Sequence, residues 1–123
     1  MKSPLAIAML SLSFCLPAHA YEVQTGTVLV CDTQSQVQRF ANVFDGNEQV
    51  AIGAVNSEVK DPSACAMIDA SYVEGPALGM ARSSSHAFRI VPIVVVGVNT
   101  ANGYRSINPG VFFTLVEVRE FAV

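Results

Sequence analysis

Apolar and polar positions change rhythm several times along the chain, and each change marks an element. An uncharged apolar run from Leu5 to Leu16 follows Lys2, and Pro17 breaks it before Ala18-His19-Ala20. A positive residue, a short apolar run and small residues at an A-x-A site form the pattern of a cleavable secretory signal, residues 1–20. A membrane-spanning helix needs roughly twenty apolar residues, so this run is too short for an anchor. Leu12 and Cys15 resemble a lipobox, but Phe14 stands where a small residue is required.

From Tyr21 to Val30 the pattern is that of a strand ending in Val28-Leu29-Val30, with Gly26 as a candidate bulge. Thr33 and Gln36 have the spacing of a capping box. Val37, Phe40, Ala41 and Phe44 then recur at the helical period and give one helix face an apolar stripe. Gly46 is the expected C′ residue of that helix, and Asn47 the cap of a second one. The second helix runs from Glu48 to about Ser57, with a stripe of Val50, Ala51, Ala54 and Val55.

Beyond the Lys60–Ser63 turn, the rhythm becomes that of strands. Ala66 to Val73 places Ile68, Ala70 and Tyr72 on one face. Ala77 to Ser85 shows no pattern. Ala87 to Val98 is the most β-branched stretch, and Pro92 puts it near an edge or a bulge. Asn99 to Gly103 is a hairpin loop, Tyr104 to Ile107 returns, Asn108-Pro109-Gly110 kinks the chain, and Val111 to Val118 is the last strand. The expected fold is α+β, β-α-α-β-β-β, with two helices packed on a curved antiparallel sheet. A small, partly open β-barrel with a helical insertion is the alternative. Residues 21–123 form one mature globular domain, with no further segment long enough to span a membrane.

Composition changes this picture in two ways. The whole chain carries a net charge of −3. Loss of Lys2 with the signal leaves six basic residues against ten acidic ones, and Lys60 is the one remaining lysine. Nucleic acid is therefore not an expected partner, because phosphate binding draws on clustered Lys and Arg. Of the three cysteines, Cys15 leaves with the signal, and Cys31 and Cys65 remain as a pair. In an oxidising compartment such a pair is expected to form a disulfide. A redox site would favour the C-x-x-C spacing, and zinc would need more ligands than two cysteines and His86.

Candidate chemistry is sparse. Arg82, His86 and Arg89 form the one local cationic cluster, interspersed with Ser83, Ser84 and Ser85, and could receive an anion or a partner. No G-x-S-x-G elbow accompanies the histidine. Most carboxylates fall at caps, turns or strand ends, whereas Asp69 lies mid-strand, where alternation turns it to solvent. Val30-Cys31-Asp32-Thr33, Phe44-Asp45-Gly46, Ala54-Val55-Asn56, Cys65 and the strand from Phe88 to Val98 make the chain similar to small exported proteins of unknown function from rhizobia-like alphaproteobacteria. That resemblance implies a periplasmic location and brings no activity with it.

The functional expectation is a soluble, periplasmic or secreted, non-catalytic binding module with neither metal nor cofactor. Its partner would be an envelope protein or a small anionic ligand. The alternatives are a small envelope hydrolase using His86 or Asp69, and a structural or stress accessory of the cell envelope.

Overall fold

In the computed structural model, residues 22–119 are described; the leader, 1–20, lies outside them. The elements are β1 (Val23–Cys31), α1 (Gln34–Val43), α2 (Glu48–Val59), β2 (Cys65–Glu74), β3 (Gly79–Arg82), β4 (Ala87–Thr100) and β5 (Gly103–Glu117). This is the expected α+β arrangement with one added strand. Strand β3 falls inside the stretch from Ala77 to Ser85 that showed no pattern. It buries only Ala81, opposite Phe88, so no alternation marks it.

Both helix starts follow from their caps. The Thr33 hydroxyl accepts from the Gln36 N–H at 3.1 Å, and the Gln36 side chain accepts from the Thr33 N–H at 3.1 Å. The Asn47 side chain accepts from the Val50 N–H in the same way. The helix ends differ from expectation. Helix α1 is capped by Phe44 in extended conformation, and Gly46 adopts φ +109° beyond it. Helix α2 continues to Val59 and stops at Lys60, whose φ is +58°. Its buried face is Ala51 and Val55, whereas Val50 is 59% exposed, because the helix meets the sheet along a narrower line than its apolar residues suggest.

All strand pairings are antiparallel, and the long strands join in a ring, β1–β2–β4–β5–β1, with β3 along the first four residues of β4. Gly26 pairs with Ala70 in an unbroken β1–β2 ladder, so it marks no bulge. Register shifts occur instead at Ser71/Tyr72 and at Val95/Gly97. At the second, Ile107–Pro109 project opposite Val96, which is where the expected kink is absorbed within a continuous β5. A side chain at Gly97 would collide with the Tyr104 ring. Pro92 lies where β4 exchanges β3 for β2 as its neighbour. Its carbonyl accepts from the Gly75 N–H at 2.8 Å, and no donor is needed from it there.

Alternation along these strands gives the domain two apolar layers. Leu29, Cys31, Cys65, Phe88 and Ile90 meet Val37, Phe40, Ala41, Ala51 and Val55 of the helices. Val28, Val30, Ala70, Val91, Ile93 and Val95 face the other way, into the ring. Ile68, Ala70 and Tyr72 share that inner layer, as their spacing predicts.

The pair Cys31–Cys65 is a disulfide with Cα atoms 4.1 Å apart, directly across β1 and β2. Both helices lie in the 34-residue separation it spans, so the bond fastens the base of the helical excursion. Asn56 of α2 reinforces it: its side chain accepts from the Cys65 N–H at 2.8 Å and donates to the carbonyls of Pro62 and Cys65.

Candidate functional site

Backbone alternation decides where the ring is open. The Asp32 N–H donates to the Ala64 carbonyl, so even-numbered residues of β1 bond to β2 and odd-numbered ones direct N–H and C=O toward β5. The Val118 N–H donates to the Ala87 carbonyl, so even-numbered residues at the end of β5 bond to β4, and odd-numbered ones face β1. Cys31 and Phe113 meet there and form the single paired position between the two strands. Were the ladder to continue, Leu29 would oppose Leu115 and Thr27 would oppose Glu117. The strands part instead.

A cleft of about 350 Å³ occupies the parting. Its strand walls are Thr27, Val28 and Leu29 on one side and Thr114 to Glu117 on the other. Phe40, Phe44 and Glu48 border it on the helix side, and Tyr72 and Glu74 on the inner side. Among the described residues, three carboxylates and no basic residue line it. Glu48 and Glu74 have no ion-pair partner among the described residues. Burial, followed by the nearby Glu74 charge, raises the Tyr72 hydroxyl above the ordinary tyrosine range and keeps it a donor. Thr114 is only 2% exposed, and its hydroxyl has no hydrogen-bond partner among the described residues. Buried polar groups are nearly always paired, so one without a protein partner beside a cleft calls for a water or a ligand atom.

A second hollow, of about 510 Å³, lies at the serine loop between β3 and β4. It gathers Arg82, Ser83, Ser84, Ser85 and His86 with Glu117 and Arg119. Two of the three expected cationic residues therefore share one hollow. Arg89 is not part of it, because strand alternation turns it to the face opposite Phe88. His86 Nδ1 lies 2.8 Å from Glu117 Oε2, and the ring sits edge-on to Phe44 and stacked near Phe88. The carboxylate orients the imidazole, but no serine hydroxyl reaches it among the described residues. Ser83 Oγ accepts instead from the backbone N–H groups of Ser85 and His86. Asp69 is exposed and accepts from the Asn99 side chain at 3.3 Å, remote from either cavity.

Sequence reasoning singled out the loop residues and missed the cleft. One signal was available: Thr114 interrupts the inward-facing apolar series Phe112 and Val116 near the end of β5. Compared with protein-family models, curated proteins and solved structures, the chain matches none.

Proposed function

We propose that this chain is an exported, disulfide-stapled binding module without catalysis, and that the cleft between β1 and β5 takes its partner. The observation that carries the reading is the Thr114 hydroxyl, unpaired among the described residues, beside a cleft walled by two open strand edges. Export is supported by the leader pattern of residues 1–20, by the resemblance to small exported proteins, and by a disulfide of the kind that persists in oxidising compartments. A periplasmic or secreted location follows.

A second reading places a small anion in the serine-loop hollow, where Arg82 and Arg119 approach the same space as His86. The oriented His86–Glu117 pair favours hydrolysis as a third, although a base and its orienting carboxylate still lack a nucleophile.

A capture comparison and a hydrolysis assay together separate the three. The oxidised chain from Tyr21 onward is used to capture partners from an envelope extract. Beside it run a Thr114→Val, Glu74→Gln variant and a triple alanine variant at Arg82, His86 and Arg89. A partner lost only by the first variant supports the cleft, and one lost only by the triple variant moves the site to the loop. Hydrolysis of ester, glycan or peptide substrates that His86→Ala or Asp69→Asn abolishes would overturn the binding reading.

A further inference from the structure

We infer that the occupant of the cleft is an extended peptide segment bearing a lysine or arginine, added as a strand along the parted edges of β1 and β5. The inference rests on the binding reading above and names the partner's chemistry. Outward-facing N–H and C=O groups of Thr27 and Leu29 on β1, and of Leu115 and Glu117 on β5, are spaced two residues apart on each wall. That is the spacing at which a peptide backbone presents its own groups, and sheet-edge addition supplies affinity through such bonds.

Side chains of an added strand alternate between two environments. Those on the helix side meet Phe40, Phe44, Leu29 and Leu115, an apolar surface. Those on the inner side reach Thr114, Tyr72 and Glu74. Glu48 and Glu74 line the cleft without a cationic partner among the described residues, so the complementary charge is positive. A small cation would satisfy the carboxylates but leave both strand edges open; a peptide satisfies both.

The test is calorimetric titration of the oxidised chain with a short acetylated, amidated peptide that alternates valine and threonine around one central lysine. Saturable binding is expected, weakened about tenfold or more when glutamate replaces the lysine. A peptide N-methylated at alternate backbone amides is expected to lose binding by a similar factor, because methylation removes the edge donors and retains the charge. Thr114→Val and Glu74→Gln, each checked for native circular dichroism, are expected to weaken binding severalfold.

Equal binding of the methylated peptide, or full competition by spermidine, would overturn strand addition in favour of simple cation capture. Failure of the lysine peptide to bind would also overturn it. The binding-module reading would stand even then if an envelope partner were still lost by the cleft variant, and would fall with hydrolysis that depends on His86.

Discussion

The two ends of strand β1 are held in opposite ways. At Cys31 the strand is bonded covalently to β2, paired with Phe113 of β5 and buried under both helices. From Leu29 back to Val23 it keeps β2 as a neighbour and has no paired residue on β5. The β1–β5 seam is thus closed at the Cys31–Phe113 end, where the disulfide also ties β1 to β2, and open at the other. A closed ring would have no edge to offer a partner, and an open one without a staple would depend on marginal packing in a domain of this size. The Cys31–Phe113 pair keeps β1 and β5 joined at one end, and the disulfide anchors the same end of β1 to β2.

Removing the staple should have the largest effect. Cys31→Ser with Cys65→Ser is expected to lower stability by about 3 to 4 kcal/mol on the chain-entropy account, read by denaturant unfolding. Such a loss would shift the midpoint of thermal unfolding by about 15 to 25 °C in a domain of roughly this length. A change below about 1 kcal/mol would mean that the helical excursion holds its base without the bond.

Next in size is Asn56→Ala, which strands the Cys65 N–H and removes two further bonds at the same end. Denaturant unfolding should show a loss of about 1 to 3 kcal/mol with the disulfide intact.

The stapled end was largely legible in the sequence, because its determinants are local. The Thr33–Gln36 box, the Asn47 cap and the cysteine pair each act within a few residues or through a unique partner. Strand β4 was legible from its β-branched run, and Pro92, which pointed to an edge or a bulge, falls where β4 changes its neighbour. The open end was not legible. Whether β5 follows β1 past Phe113 depends on how far the sheet curls, a property shared among strands far apart in sequence. The same holds for β3, which is a strand because β4 offers it an edge, and for Val50, exposed by the line along which α2 meets the sheet. Arg89 went astray through strand alternation that its loop neighbours do not follow.

At the open end, substitution should separate stability from binding. Thr114→Val removes a buried hydroxyl that is unpaired among the described residues, so stability is expected to stay level or rise by up to about 1 kcal/mol while ligand affinity falls. A clear destabilisation would show that the hydroxyl already has a partner and that the cleft is not waiting for one.

The smallest effect belongs to the Arg39–Glu58 pair between α1 and α2. Its two-pronged contact at 2.9 to 3.2 Å lowers the Glu58 carboxyl below its ordinary value, first through the hydrogen bond from Arg39. A lowered carboxylate contributes above its unfolded pKa and loses that contribution as pH falls through the folded one. Stability of the parent should therefore decline slightly faster on acidification than that of Glu58→Gln, and salt should reduce the difference, since the pair is exposed.

Residue-resolved amide hydrogen exchange on the free, oxidised chain tests the parting of β1 and β5 most directly. The N–H groups of Thr27, Leu29, Leu115 and Glu117 should exchange much faster than those of Val28, Val30, Thr114 and Val116, which are bonded to β2 or β4. Protection of the first set equal to that of the second would mean that the β1–β5 ladder is closed beyond Cys31 and Phe113, and that the cleft is not a binding edge.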